Sequence, residues 1–318
     1  MKYNILITSA GKRVALTKYF KETLNRFFPE AKVFITDMNP EMAPVSYVCD
    51  GSFKVPRVTD SEYPEVLLKI CEENNVRMVI ATIDTELLLL AGLKKDFEQR
   101  GINVLVSDEL FIAMCRDKRN TGDFFNKHSL RVPKEVDKYN PTFPLFAKPY
   151  DGSLSTNIHY IRCKEELTPE ILDDPKLLFM EYIDKTVYKE YTVDMYYGKD
   201  NRVKCIVPRE RIEIRAGEIN KGRTAKNDIL DFLKEKFGYI EGCVGCICMQ
   251  LFFCPETKDL VGIEINPRFG GGYPLTYMCG ANFPELLIRE YFLSEEVEYF
   301  DNWKDNMLML RFDDAIFV

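Results

Sequence analysis

The sequence predicts an α/β protein, with a first lobe on a parallel sheet followed by regions in which strands dominate. Two patterns carry that expectation. Over residues 1–110, short apolar runs alternate with stretches of helical periodicity, as in strands linked by crossover helices. After Asp108 the alternation gives way to successive strand-like runs with few helices between them. With 318 residues, 46% hydrophobic and 29% charged, the chain is long enough for more than one core.

In the first lobe, Asn4–Thr8 reads as a strand ending in the turn Ser9-Ala10-Gly11. Leu16, Tyr19, Phe20, Thr23, Leu24, Phe27 and Phe28 then fall at helical spacing. Val33–Thr36 is a second strand ending at Asp37. Val76–Ala81 is a buried-strand run, Leu87–Phe97 a helix and Val104–Val106 a further strand. Parallel sheets bind ligands at the carboxyl ends of their strands, so Ser9 to Arg13, Asp37 and Thr82 to Glu86 are candidates for a pocket. The loop after the first strand has one glycine where a dinucleotide fingerprint needs three, which argues against a nicotinamide or flavin site.

Further on, Cys115-Arg-Asp-Lys118 sits in a helical stretch running to about His128. Phe143–Pro149 reads as a strand bearing Lys148, followed by the polar loop Asp151–Asn157 and a strand at Ile158–Ile161. Leu177–Ile183, Glu190–Tyr197, Arg202–Val207 and Arg209–Arg215 are strand-like, and Asp228–Phe237 is helical. A lysine closing an apolar strand beside a Gly/Ser loop suits phosphate binding. Arg209, Arg211 and Arg215 alternate, so they are expected on one strand face with Glu213, opposed by Ile212 and Ile214. That face is either an anion site or a solvated edge of Glu–Arg pairs.

The most informative segment is a hairpin at residues 246–265. A turn centred on Thr257 places Gln250 opposite Glu264, and the period of two puts Glu264 and Asn266 on one face. Gln250, Glu264 and Asn266 then form an all-oxygen cluster suited to Mg²⁺ that takes its other ligands from phosphates. The alternative is a hairpin face exposed to water. Cys243-Val-Gly-Cys246 has no second pair to complete a structural zinc site, and Cys246 and Cys248 read as small packing groups.

Together these residues resemble the ATP-grasp superfamily, in particular proteins similar to the large subunit of carbamoyl-phosphate synthase. The resemblance rests on Gln250 followed by Glu264-Ile-Asn266-Pro-Arg268, on Lys148-Pro with its serine loop, and on Glu181-Tyr-Ile183 ahead of Glu190-Tyr-Thr-Val-Asp194. It implies a pre-ATP-grasp lobe over 1–110 and a two-lobed grasp over 111–185 and 186–318. Lys118, Lys148 and the loop serines Ser153 and Ser155 would hold ATP phosphates. Glu181, Tyr182 and Ile183 would read adenine, and Glu190 the ribose. Gln250, Glu264 and Asn266 would hold one or two Mg²⁺, with Mn²⁺ as a substitute. Arg268 would stabilise the transferring phosphoryl group, aided by Arg209 and Arg211. The implied activity is ligation of a small carboxylate to an amine, ammonia or thiol through an acylphosphate. An ATP-binding regulatory protein with little turnover is the alternative. The phosphate-covering loop departs from the family pattern at Tyr150, Leu154 and Asn157.

A net charge of −7 argues against nucleic acid as the partner. No apolar run reaches the length of a membrane span, and the N-terminal apolar run is too short for a signal segment. Ten cysteines without such a segment are expected as free thiols in the cytoplasm. Self-association is left open.

Overall fold

A computed structural model describes residues 3–152, 157–215 and 217–318. The first lobe is laid down as β1 (Asn4–Ile7), α1 (Val14–Phe27), β2 (Val33–Asp37), β3 (Gly51–Lys54), α2 (Tyr63–Glu73), β4 (Val76–Ile80), α3 (Asp84–Glu98) and β5 (Asn103–Leu105). Its five strands are all parallel, in the order β3-β2-β1-β4-β5. Ile5 and Ile7 face one apolar core and Leu6 the other, so helices cover both sides of the sheet. In α1, Leu16, Phe20 and Leu24 recur every fourth residue and are buried against the sheet. β3 and α2 lie in a stretch that the hydrophobic periodicity left unassigned.

The expected single helix after Asp108 is two: α4 (Glu109–Arg116) and α5 (Lys118–Lys127). Asp117 has extended backbone and its side chain accepts from the Arg119 amide, which ends one helix and caps the next. Lys118 therefore stands on the first residue of α5, beside the cleft. Phe125 of α5 lies under Gly262, where any Cβ would come within 2.6 Å of its ring.

A small antiparallel sheet follows, made of β6 (Leu145–Pro149), β7 (His159–Ile161) and β8 (Leu177–Glu181), with the short helix α6 (Pro169–Asp173) between the last two. β6 is its central strand. The large sheet contains β9 (Lys189–Tyr197), β10 (Val203–Arg215), β11 (Glu218–Thr224), β12 (Gly245–Phe253), β13 (Leu260–Asn266) and β14 (Leu308–Leu310), in the order β13-β12-β9-β10-β11-β14. Helices α7 (Asp228–Lys236), α8 (Tyr273–Met278) and α9 (Phe283–Tyr291) complete the chain.

The two strands expected either side of Pro208 form the single strand β10. Pro208 is tolerated because β11 pairs with β10 only from Arg209 onward. The expected face of Arg209, Arg211, Glu213 and Arg215 is also corrected. Register shifts between Arg211 and Ile214 rotate the strand end. Arg215 consequently pairs with Asp313 at 2.8 Å in solvent, and Ile212 and Ile214 are exposed rather than buried behind the arginines.

Candidate active site

The register of the large sheet assembles a polar face row by row. Glu264 pairs with Gln250, Gln250 with Thr192, and Thr192 with Arg209. Two residues along each strand, Asn266 pairs with Cys248 and Cys248 with Asp194. Side chains repeat every second residue, so all these groups share one face, and Glu190 and Arg211 extend it. The intervening Tyr191, Val193, Met195, Ile247, Met249 and Leu251 are buried on the other side. The predicted opposition of Gln250 and Glu264 is thus present, and Asn266 Nδ2 donates to Glu264 Oε1 at 3.0 Å.

A cleft of about 890 Å³ opens over this face, within the range of small-molecule sites. Lys118 Nζ lies 3.6 Å from Glu264 Oε2 and donates to the Gly152 carbonyl at 2.6 Å. Lys148 reaches the cleft from the centre of the small sheet and is only 9% exposed. Burial lowers the Lys148 ammonium to about 8, against a partial rise from Glu264. At Glu264, burial would raise the carboxyl, but Lys118 and Lys148 outweigh it and hold the group below its ordinary range. One ionised carboxylate and two amides face the lysines, a donor set that fits Mg²⁺ completed by phosphate oxygens. Among the described residues, no cluster of three or more His, Cys, Asp or Glu could hold a metal without such help.

At the other wall, Glu181, Tyr182 and Ile183 line the cleft. Glu181 Oε1 accepts from Arg131 Nη1 at 2.7 Å and from the Lys134 amide at 3.1 Å, and the Tyr182 ring packs on Tyr160. Arg131 carried no signal in the sequence reading; its anchor is Asp259, in the turn of the hairpin. Glu190 also lines the cleft, 3.0 Å from Lys185 Nζ. Ser153, Ser155 and Leu154 lie outside the described residues. Asn157 does adopt a positive φ of 52° and Tyr150 stacks under Arg119, so two of the loop's departures have a conformational use.

The arginines are each held from behind by an acid. Arg209, 1% exposed, makes a bidentate pair with Asp194, which also accepts from Thr276. Arg268 Nη2 donates to Asp84 Oδ2 at 2.8 Å, tying the end of the β12–β13 hairpin to the first turn of α3. Arg211 donates to Thr192 at 3.1 Å, and its Nε lies 3.0 Å from Glu190 Oε1 without being aimed at it. Arg209 Nη1, Arg211 Nε and Arg268 Nε are left buried without a partner among the described residues. Unpaired buried donors are expensive and point to a missing acceptor.

Of the first-lobe candidates, Arg13, Thr82, Asp84 and Thr85 line the cleft. Ser9 instead supports Glu86, whose fully buried carboxylate accepts from Thr8, Ser9, Tyr63 and the Thr82 amide. Asp37 accepts from the Asn39 amide and lies outside the cleft. Gly270, Gly271 and Gly272, unremarked in the sequence, line the floor: a Cβ at Gly272 would stand 2.1 Å from Arg209 Nη1.

A family profile described as "PylC-like, N-terminal domain" matches residues 5–105, and one described as "ATP-grasp in the biosynthetic pathway with Ter operon" matches residues 173–314. No curated protein matches the chain. Among solved structures, the chain is similar to the biotin carboxylase domain of Hydrogenobacter thermophilus 2-oxoglutarate carboxylase, in complex with MgADP, ADP and bicarbonate. The TM-score is 0.73 and the identity 14%, over 97% of this chain and 74% of that one. It is similar to Staphylococcus aureus N5-carboxyaminoimidazole synthetase complexed with ADP (TM-score 0.71, 15% identity, 98% and 81% covered). It is also similar to an L-amino acid ligase from Bacillus licheniformis (TM-score 0.64, 17% identity, 91% and 74% covered). At these identities the likeness shows the fold, a first parallel lobe followed by two antiparallel sheets around a nucleotide-sized cleft. Residues 173–314 thus match an ATP-grasp family model, and the chain as a whole has the fold of these ATP-grasp structures.

Proposed function

We propose that the protein is an ATP- and Mg²⁺-dependent ligase that activates a small carboxylate as its acylphosphate for attack by an amine, ammonia or thiol. The observation that carries this is the single face on which Gln250, Glu264 and Asn266 meet Lys118 and Lys148, with partnerless arginine nitrogens next along it. Lys118 and Lys148 would bind the β- and γ-phosphates, and Glu181 to Ile183 the adenine, with Glu190 at the ribose. Mg²⁺ held by Glu264, Asn266 and Gln250 would supply charge neutralisation at the phosphates. Arg268, Arg209 and Arg211 would orient the carboxylate and the γ-phosphoryl oxygens, the task that dominates phosphoryl transfer.

In the first step a substrate carboxylate oxygen bonds to the γ-phosphorus, the bond to the β,γ-bridging oxygen breaks, and ADP leaves. In the second, the nucleophile bonds to the acyl carbon, phosphate departs with the C–O bonding pair, and the nucleophile sheds a proton. The similar structures that are ligases or carboxylases lend support to this class of reaction. A cytoplasmic setting belongs to the same proposal, supported by cysteines that are all free thiols among the described residues. No helix among those residues is long and apolar enough to cross a membrane.

Glu264→Ala is the test. It removes the lone carboxylate of the cluster and should lower Mg²⁺-dependent ADP formation by about a thousandfold, the scale of losing one preorganised electrostatic element, while leaving the circular dichroism spectrum unchanged. An unchanged rate removes the metal assignment. ATP binding with no ADP formation across pooled carboxylates and amines would favour the regulatory alternative.

A further inference from the structure

Arg13 is the one arginine of the cleft supplied by the first lobe. It sits at the end of the β1–α1 turn, and its side chain is 22% exposed. Among the described residues its guanidinium makes no hydrogen bond, and the nearest carboxylate oxygen, Glu218 Oε1, stands at 3.5 Å. Glu218 is itself taken up by Arg311 at 2.9 Å. Burial, and after it the neighbouring positive charge of Arg268, push the Arg13 guanidinium below its ordinary value. A largely buried cation beside a like charge and without a hydrogen-bonded acid is destabilised until an anion fills the gap.

Its place along the cleft is also defined. Arg13 and Arg268 both line the cleft and their charges repel one another, so Arg13 extends the cationic wall of the cleft from the side of the first lobe. The floor there is cut away for charged side chains. A Cβ at Gly271 would strike the Glu218 carboxylate and fall 2.9 Å from Arg13 Nη1, as one at Gly272 would crowd Arg209. In the ligase reading the transferring phosphoryl group and one reacting carboxylate would satisfy the free nitrogens of Arg268, Arg209 and Arg211, and would leave Arg13 with no anion beyond Glu218.

We propose that the first-lobe end of the cleft binds a second anionic group on the substrate, so that the preferred substrates are small acids bearing two anionic groups and Arg13 determines that preference. The inference rests on the ligase reading above for the reacting carboxylate, but the anion site stands on its own geometry. A guanidinium accepts carboxylate and phosphate alike, so both chemistries enter the test.

The experiment uses the full chain with saturating MgATP and hydroxylamine, which traps acylphosphates as hydroxamates. One arm contains succinate, glutarate, L-aspartate and L-glutamate. A second contains 3-phosphoglycerate, and a third acetate, butyrate and L-alanine. ADP and hydroxamate are expected from the first or second arm and not the third. For the best acid, Arg13→Gln should raise KM by about ten- to a hundredfold, the scale of one charged hydrogen-bonding contact. kcat and MgATP affinity should be retained, and Arg13→Lys should recover part of the loss. The same acids should raise the melting temperature of the wild type but not of Arg13→Gln. Preference for the third arm, a KM indifferent to Arg13→Gln and Arg13→Lys, or no thermal protection by any two-anion acid overturns the proposal. Turnover of the third arm indifferent to Arg13 leaves the ligase reading standing without this site. Protection that depends on Arg13, with no ADP from any arm, upholds the site and removes the ligase reading.

Discussion

The sheet of the first lobe and the large sheet of the grasp use their strands in opposite ways. β1 is buried throughout, with Ile5 and Ile7 in one core and Leu6 in another, and none of its residues lines the cleft. What that lobe gives the cleft comes from beyond its strand ends: Arg13 after β1, Thr82 and Asp84 after β4. In the large sheet the strands themselves line the cleft, through Glu190 and Thr192 of β9 and Gln250 of β12, with Asp194 of β9 holding Arg209 behind it. A parallel sheet covered by helices on both sides leaves only its edge of loops for function. An antiparallel sheet with one face open offers every second residue. Stability and function should therefore separate in the first lobe and coincide in the grasp.

Asp194→Ala is the strongest way to break that contrast. It strands the buried Arg209 without its bidentate partner, a loss of about 3–5 kcal/mol for a broken buried pair, to be read from urea unfolding. Because Arg209 lines the cleft, ligase turnover should fall in the same variant. Retained activity at reduced stability would place the grasp under the first lobe's rule. Leu6→Ala is the counterpart in the first lobe. It should lower stability by about 2–5 kcal/mol through the cavity it leaves, yet MgATP affinity measured well below the melting temperature should not change.

The smallest effect is a pH dependence at Lys148. Its folded-state value of about 8 means that the ammonium is lost as pH rises through 8. MgATP affinity should weaken by up to about tenfold between pH 7 and 9 if only the charged form binds, and Lys148→Met should flatten the profile. Stability of the ligand-free protein should move the other way. The unfolded chain keeps that proton to about pH 10.4, so between these values it binds more protons than the folded state, and the unfolding free energy rises with pH. Calorimetry across pH 7 to 10 checks both signs.

The hairpin shows how much of the site was legible along the chain. A polar turn at Thr257 between two apolar, alternating segments sets the register by counting, and Gln250 does face Glu264. The same counting failed a few residues away: Arg215 leaves the face of Arg209 and Arg211 because register shifts change which side each later residue takes. The helix break at Asp117 and the continuous strand through Pro208 were misread for a related reason. Capping and edge pairing override local periodicity: the cap is a single side-chain bond to a backbone amide, and the edge depends on where a distant strand begins to pair.

Order and spacing along the chain determined the α/β architecture, the opposition of Gln250 and Glu264 in the hairpin and the two lysines that line the cleft, because each depends on hydrophobic periodicity or on residues a few positions apart. Tertiary structure alone decided that Asp84 holds Arg268, that Arg131 holds Glu181, and that Arg13 stands 3.5 Å from Glu218 among the other arginines of the cleft. Those contacts join charges on separate elements, and an ion pair leaves no period in a sequence by which its distant partner could be found.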